Sequence, residues 1–335
     1  MEGIGLVLAG GGGKGAYFIG VWKALREYGV DKKISAISGT SVGALNGVLF
    51  AQGSYCIAED LWKNIKSSQI LKLDLKKIMK KLLYMNISTT ISSIIMPVLP
   101  ILINTYSKTI FSRDGLEDII DSNVNLSLVS NSSKSIYATA FNTSKLDIEY
   151  MKINKRTNED IKKILLASSA LPIIFERERI GESYYYDGGI KDNVPIKPLY
   201  DEGIRNFIVV HLSRDSLINK SNFDGANIIE IVPQEDQGNL INGTLDFSKE
   251  ASERRINQGY NDTIRILEPI YKMNVIGQKI QKQLENIKLS NDKFNVEMKN
   301  LRNERLSYKS ELEELLKEGM NCESRFKNKE WRILR

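Results

Sequence analysis

The residues best placed to perform chemistry form the pattern Gly39-Thr-Ser41-Val-Gly43. A short apolar strand is predicted before this pattern and a helix after it, which is the context of a nucleophile elbow. Glycines on both sides of a serine relieve crowding at such a sharp turn, so we expect the Ser41 hydroxyl to be exposed at the start of the helix. A serine held in this way can attack an acyl carbonyl.

A second glycine-rich turn lies near the start of the chain. The run Gly10-Gly-Gly-Gly13 is followed by Lys14 and Gly15, between a predicted strand and a predicted helix. Consecutive glycines let several backbone N–H groups converge on one point beside the positive end of the helix dipole. Such a turn can hold a phosphate, or the oxyanion that forms during acyl transfer.

Two phosphate-binding motifs can be compared with this turn. A Walker A loop requires Ser or Thr after its lysine, whereas Gly15 follows Lys14 here, so that motif is excluded. Gly10-x-Gly12-x-x-Gly15 matches the dinucleotide fingerprint, which also needs an acid at the end of the second strand. Asp31 precedes that strand instead. A dinucleotide-binding oxidoreductase therefore stays an alternative that lacks its acidic residue.

A serine nucleophile needs a general base, and the chain offers two candidates. His211 is the only histidine, and the order Ser41, Asp187, His211 is that of α/β-hydrolases. However, His211 lies in a predicted buried strand rather than in a loop that returns to the serine. Asp187 ends an aromatic run and is followed by Gly188 and Gly189, which permit close backbone approach. We favour Asp187 as the base and keep the histidine triad as the alternative.

Taken in order, these motifs resemble those of the patatin-like phospholipase family. The glycine loop with Lys14 resembles the family's oxyanion-hole loop, Gly39–Gly43 its nucleophile elbow, and Asp187–Gly189 its aspartate motif. The resemblance covers about residues 4–268. Further similar segments are 167–172, 192–195 and 245–260, the last of which resembles the closing helix of bacterial members.

The resemblance implies a serine esterase, a lipid acyl hydrolase of the phospholipase A type that needs no catalytic histidine, metal or other cofactor. Ser41 would form the acyl-enzyme and Asp187 would accept its proton. The oxyanion would be stabilised by the N–H groups of Gly11, Gly12 and Gly13. A catalytically silent membrane-binding or scaffold protein is the alternative from another class. The motif-supporting residues are Gly10, Lys14, Gly15, Gly39, Gly43, Gly188 and Gly189.

The elements that must position these residues are short apolar strands alternating with helices. Strand–turn–helix units are predicted at 4–29 and 34–52, and such units form parallel sheets with helices packed on their faces. The resemblance implies a three-layer α/β/α domain with a mainly parallel central sheet over residues 1–270. The remaining predicted elements are strands at 135–142, 146–152, 206–212 and 228–233, and a helix at 158–168.

The segment 57–130 is less regular, and we interpret it as a lid or membrane-facing insertion. Its predicted basic amphipathic helix at 72–81 lies beside the apolar, proline-interrupted stretch 94–103. Such a helix can bind an anionic membrane surface, or it can cover the site while its lysines are solvated, and the two roles are compatible. Its lysines are Lys72, Lys76, Lys77, Lys80 and Lys81.

A basic helical tail is predicted over residues 271–335, where 15 Lys and Arg stand against 10 Asp and Glu. The pattern predicts a helix over about 274–318 that self-associates as a coiled coil or folds back as a hairpin. The alternative is a single amphipathic helix lying along the catalytic domain. The first set of residues, seven apart, is Ile280, Ile287, Phe294, Leu301, Tyr308 and Leu315; the second, four residues after each, is Leu284, Asn291, Met298, Arg305, Leu312 and Gly319.

Composition limits the compartment and the partners. Two cysteines far apart in sequence, Cys56 and Cys322, argue against a disulfide framework and fit a reducing compartment. Glu2 stands where a signal peptide is basic, and the longest apolar stretch has about ten residues where a membrane span needs about 20. We expect a cytoplasmic, peripherally membrane-associated protein. Its expected partners are phospholipid or another acyl lipid, and not nucleic acid.

Overall fold

The computed structural model describes residues 3–70, 72–73, 111–172, 174–214 and 217–333. Contacts divide the chain into two compact units, Met1–Glu268 and Pro269–Arg335. The first unit contains the sheet and the glycine-rich turns. The second unit consists of the distal part of one long helix.

The described strands form one large mixed sheet and one small ribbon. The large sheet has the order β10-β9-β1-β2-β5-β8-β7, and β6 pairs with β5. Neighbours from β10 to β5 are parallel, whereas the pairs β5–β6, β5–β8 and β7–β8 are antiparallel. The strands are β1 (Ile4–Leu8), β2 (Ile34–Thr40), β3 (Lys72–Leu73), β4 (Phe111–Ser112), β5 (Ser135–Asn142), β6 (Asp147–Lys152), β7 (Glu178–Ile180), β8 (Ser183–Asp187), β9 (Asn206–Val210) and β10 (Asn227–Ile231).

Helices cover both faces of the large sheet. Leu6 and Leu8 of β1 pack into one apolar cluster, whereas Val7 packs into a second cluster with Leu199. This alternation confirms the predicted three-layer arrangement, because successive side chains of a strand point to opposite faces. The helices are α1 (Tyr17–Glu27), α2 (Val42–Gln52), α3 (Tyr55–Asn64), α4 (Ser67–Ile70), α5 (Asp114–Asn123), α6 (Leu126–Ser130), α7 (Asn158–Ser168), α8 (Lys197–Asp201) and α9 (Lys249–Ile333).

The segment 57–130 contains more regular structure than its sequence indicated. Helices α3 and α5 bury Trp62 and Ile120 in the same cluster as the first strand. The predicted basic helix is wrong at its start, because Lys72 and Leu73 form β3, which pairs with β4. The other four lysines of that predicted helix, Lys76, Lys77, Lys80 and Lys81, lie outside the described residues.

Helix α9 continues without interruption from Lys249 to Ile333 and contains Pro269. The long helix predicted over 274–318 is therefore confirmed, and the hairpin is wrong. A hairpin needs a turn, but this stretch has no proline and a single glycine, Gly277. Among the described helices, including α9, none is both long enough and apolar enough to cross a bilayer.

Candidate active site

Ser41 forms the sharp connection between β2 and α2. Its φ of 56° is rare for a residue with a side chain. The Ser41 N–H donates to Ser168 Oγ at 2.9 Å, and the Ser168 hydroxyl donates to the Thr139 carbonyl at 2.7 Å. The Ser41 carbonyl accepts a 2.9 Å bond from the N–H of Ala44. These bonds stabilise the turn in a backbone conformation that is otherwise unfavourable for Ser41.

The two glycines of the elbow are required by backbone packing. A Cβ on Gly39 would lie 2.3 Å from the carbonyl carbon of Gly43, and one on Gly43 would lie 2.2 Å from the Leu8 carbonyl oxygen. No side chain fits at these distances. The spacing Gly-x-Ser-x-Gly thus reflects the close approach of the start of α2 to β1 and β2.

Sheet register brings Asp187 to the elbow. Thr40, which precedes Ser41, pairs with Thr139 of β5, and the next residue of that strand, Ala140, pairs with Asp187. Ser41 and Asp187 line the same cavity, and the Ser41 hydroxyl is near enough to lower the pKa of the Asp187 carboxyl group. The sheet thus brings together two residues that lie 146 positions apart in the sequence.

The Asp187 carboxyl group is buried, with 3% of the residue exposed. Burial raises its pKa from 3.8 to about 6, although hydrogen bonds from Ser41 and from the Gly189 N–H act in the opposite direction. The Gly189 bond to Asp187 Oδ1 measures 2.8 Å. Gly188 lies against β5, where a Cβ would be 2.6 Å from the Thr139 carbonyl oxygen. A carboxylate with such a pKa can accept a proton near neutral pH.

His211 takes no part in this contact. Its ring is fully buried, and Nε2 lies 2.9 Å from Glu230 Oε2 on the adjacent strand β10. The cavity beside Ser41 and Asp187 is lined by the next residue, Leu212, and not by His211. The geometry therefore favours the serine–aspartate pair over the histidine triad.

The glycine loop begins at the carboxyl end of β1, beside the elbow. The Gly10 N–H donates to the Asn193 carbonyl at 3.2 Å. A 3-10 turn follows over Gly12–Ala16, and its first bond runs from the Lys14 N–H to the Gly11 carbonyl at 3.2 Å. The N–H groups of residues 11 to 13 precede that bond, so the turn itself does not use them.

The loop residues divide between the cavity and the packed interior. Gly10, Gly11, Gly12 and Lys14 line the cavity with Ser41. Two other glycines of the loop, Gly13 and Gly15, are buried and do not line it. Of the three predicted oxyanion donors, Gly11 and Gly12 line the cavity with the serine, whereas Gly13 is buried.

Arg255 of α9 has a role that sequence reasoning missed. Its side chain is fully buried, and its guanidinium donates to four backbone carbonyls. The sequence gives only a weak signal of this buried role, namely the helical spacing of four residues between Arg255 and Ala251, which is also buried. The acceptors are the carbonyl oxygens of Gly13 at 3.1 Å, Asp246 at 2.6 Å, Asn242 at 3.3 Å and Gly243 at 3.2 Å.

A largely apolar cavity of about 440 Å³ adjoins Ser41. Its walls come from α2, α3, α5, residues 171, 174 and 175, and the segment 244–247, and include Trp62, Ile120 and Phe175. Polar groups are few and include Ser41, Asp187 and Asn193. An apolar chamber with a small polar cluster suits a ligand with a long hydrocarbon part and one reactive polar group.

A family model described as patatin-like phospholipase matches residues 6–200, more than half of the chain. The chain belongs to the patatin-like phospholipase family. The matched range includes the glycine loop, the elbow at Ser41 and the Asp187 motif. Membership in this family supports lipid ester hydrolysis as the chemistry of the site.

Similar proteins carry related names. Lysophospholipase nte1 of Aspergillus terreus is 53% identical over 49 residues, covering 15% of this chain and 3% of that protein. Lysophospholipase NTE1 of Cryptococcus neoformans is 27% identical over 211 residues, covering 62% of this chain and 11% of that protein. The chain thus spans a small part of the length of these curated relatives.

The solved structure of VipD from Legionella pneumophila has the same fold. It matches with a TM-score of 0.50 at 20% identity, over 80% of this chain and 67% of that one. At this identity the likeness concerns the fold alone. It agrees with the mainly parallel α/β sheet described above.

Proposed function

We propose that this protein is a lipid acyl hydrolase of the phospholipase A type that acts through a Ser41 acyl-enzyme. The observation that carries this proposal is the placement of Ser41 beside the buried Asp187 carboxyl group, at the wall of an apolar cavity of about 440 Å³. A nucleophile paired with a base of raised pKa can open an ester, and the cavity can hold an acyl chain.

The reaction begins when Asp187 accepts the Ser41 proton and the serine oxygen attacks the ester carbonyl carbon. The N–H groups of Gly11 and Gly12 stabilise the resulting oxyanion. Collapse of this intermediate breaks the ester bond, and Asp187 returns the proton to the alcohol that leaves. A water molecule then gives a proton to Asp187 and attacks the acyl-enzyme carbonyl carbon. The bond to Ser41 breaks, Asp187 returns the proton to the Ser41 oxygen, and the fatty acid leaves.

The apolar cavity sets the substrate class. Each methylene transferred from water into such a chamber contributes about 0.8 kcal/mol, so long acyl chains bind much better than short ones. Lipids with one or two fatty acyl esters are therefore the proposed substrates. We also propose that the enzyme reaches them as a peripheral protein on anionic membranes, through the lysines of segment 72–81.

The proposal is tested by covalent labelling together with product analysis. A fluorophosphonate should modify Ser41 alone, as read by peptide mass spectrometry, because only this serine has an activating carboxylate in the described site. Wild-type protein should release free fatty acid from phospholipid or lysophospholipid vesicles. A protein that neither reacts with the probe nor releases fatty acid would be a silent membrane-binding scaffold, and the proposal would be wrong.

The pH dependence of hydrolysis follows from the raised pKa of Asp187. The base must be ionised, so we expect kcat/KM for a soluble ester to fall about tenfold per pH unit below pH 6. An unperturbed aspartate would place this inflection near pH 4. Stopped assays across pH 4.5–8 would measure it.

A control variant separates this inflection from a histidine titration, which would fall at a similar pH. His211→Gln should show the same inflection near pH 6, because the His211 ring contacts Glu230 and not the serine. Disappearance of the inflection in that variant would identify His211 as the base and contradict the proposed mechanism.

Membrane binding is predicted to depend on the lysines of segment 72–81. The triple change Lys76→Glu, Lys77→Glu and Lys80→Glu should weaken binding to anionic vesicles about 100-fold or more, because each lysine near the surface contributes about 1 kcal/mol. The effect should shrink at high salt. Vesicle sedimentation would measure it, and hydrolysis of a soluble short-chain ester should persist.

The matched control carries the same change in net charge in the tail. In this control, Glu replaces three lysines in the exposed part of α9, namely Lys282, Lys293 and Lys299. If both variants lose vesicle affinity equally, net charge and not the segment 72–81 governs binding. That result would refute the proposed membrane face.

A further inference from the structure

The distal part of α9 carries an exposed apolar stripe that the proposed function does not use. Six residues spaced seven apart are between 50% and 68% exposed. They continue along one uninterrupted helix, so they share one face. The six are Ile280, Ile287, Phe294, Leu301, Tyr308 and Leu315.

We propose that this face binds a second copy of the same chain, parallel and in register, as a two-stranded coiled coil. A second set of residues follows the first by four positions, and the first returns after three more. This spacing assigns the first set to heptad position d and the second to position a. In the second set, Leu284, Met298 and Leu312 are apolar and between 49% and 60% exposed.

Two polar residues in the second set favour a defined pair over a loose hydrophobic cluster. Asn291 and Arg305 both occupy position a. In a parallel, in-register pair the two copies of Asn291 meet, and their amide groups can bond to each other. A shift of one heptad leaves these amides against Leu284 or Met298, which is unfavourable. A polar residue at position a therefore fixes register and the number of strands.

Charge at the flanking positions selects the parallel orientation. The residues before position a, at g, are acidic from Glu297 onwards, whereas the residues after position d, at e, include basic groups. In a parallel pair, each g residue faces the e residue five positions later in the partner. Glu297 then faces Arg302, and Glu304 faces Lys309.

An antiparallel pair would reverse this complementarity. There g faces g and e faces e, so an antiparallel overlap of the charged segment 297–318 would place glutamates against glutamates and Arg302 against Lys309. Like charges at these positions are unfavourable, so the sequence opposes that arrangement.

The first experiment tests whether the stripe mediates self-association. Wild-type protein should sediment as a dimer in analytical ultracentrifugation, and the variant Ile287→Glu with Phe294→Glu should sediment as a monomer. The control is Leu289→Glu with Val296→Glu, at positions that are as exposed but lie off the stripe. The control should remain dimeric. Equal helicity of the two variants by circular dichroism would exclude a difference in folding.

The second experiment tests orientation. In a Cys56→Ser and Cys322→Ser background, Leu284→Cys should form an intermolecular disulfide on mild oxidation, because parallel pairing places the two Cα atoms within bonding reach. Antiparallel pairing about the centre of the stripe would separate them by roughly 40 Å. A fourfold exchange of Glu297→Lys, Glu304→Lys, Arg302→Glu and Lys309→Glu should retain the dimer.

Several results would overturn the inference. A monomeric wild-type protein at high micromolar concentration would exclude self-association, and a trimer or tetramer would exclude the two-stranded form. A dimer that survives the Ile287 and Phe294 changes would place the interface elsewhere. A dimer that forms no disulfide through Leu284→Cys would exclude the parallel, in-register arrangement.

Discussion

Ser41→Ala is expected to lower kcat for ester hydrolysis by a factor on the order of 10⁴ or more, because no acyl-enzyme can form without the hydroxyl. Asp187→Asn should cause a loss of similar size, since an amide cannot accept the Ser41 proton. Nucleophile and base act as a unit, so the double variant should be hardly slower than either single variant. Fatty-acid release from vesicles and a soluble ester assay would both measure these losses.

The control for this prediction is His211→Gln. It removes the only histidine of the chain but leaves the contact of Ser41 with Asp187 in place. This variant can be less stable, because its buried contact with Glu230 changes, yet the folded protein should retain turnover. A loss of several orders of magnitude in folded His211→Gln would show that the serine–aspartate mechanism is wrong.

Asp187→Asn should be more stable than the wild type at neutral pH, although it is inactive. The folded-state pKa of about 6 lies above the ordinary value of 3.8, so between these values the folded protein binds more protons than the unfolded chain. The contribution of Asp187 to stability is therefore most favourable below pH 3.8 and falls as pH rises through 6. At pH 7 the ionised carboxylate costs about 3 kcal/mol, which a neutral amide avoids.

Thermal unfolding of both proteins at two pH values would check this. The Tm of Asp187→Asn should exceed that of the wild type at pH 7, and the difference should narrow towards pH 4. A lower Tm at pH 7 would mean that the hydrogen bonds of the carboxylate outweigh its burial.

The elbow shows a similar conflict between stability and chemistry, because Ser41 has a φ of 56°. Both features reduce stability where they prepare a nucleophile and a base.

The parts of the site that depend on local rules could be predicted from the sequence. Gly39 and Gly43 mark the elbow, because neighbouring backbone atoms leave no room for a Cβ at either position. Only glycine lacks a Cβ, so this requirement is visible in the sequence. The helix predicted over 158–168 has the same limits as α7, whose first turn is capped by Thr157, which accepts a bond from the Asp160 N–H. The apolar runs of β5 and β9 were equally clear.

Features that depend on contacts between distant segments could not be predicted. The helical spacing of the apolar residues around Lys72 predicts a basic helix there. In the structure, however, β3 pairs with β4 at residues 111 and 112, so Lys72 belongs to a strand. Tertiary pairing commonly overrides local propensity in this way. Gly12 packs against Thr244 and Gly13 against Asp246, and nothing in a run of identical glycines shows which of them lines the cavity.

Arg255→Met is expected to lower kcat by about 10²- to 10³-fold with a smaller change in KM. Arg255 fixes the Gly13 carbonyl and the 242–246 segment, so it positions the loop whose Gly11 and Gly12 N–H groups would bind the oxyanion. Loss of one oxyanion donor typically costs this much in kcat. Substrate binding depends mainly on the apolar cavity, which the change leaves in place. Steady-state kinetics well below the Tm would measure both parameters.

A purely structural role would give a different pattern, and Ile256→Ala provides the comparison. Ile256 is the next residue of α9 and is buried in the main apolar cluster, so its truncation should cost about 2–5 kcal/mol without touching the loop. Arg255→Lys keeps the positive charge but cannot reach four carbonyls with one amine, so its kcat should lie between wild type and Arg255→Met. If Ile256→Ala lowers kcat as much as Arg255→Met at equal folded fraction, Arg255 supports the fold and does not position the oxyanion loop.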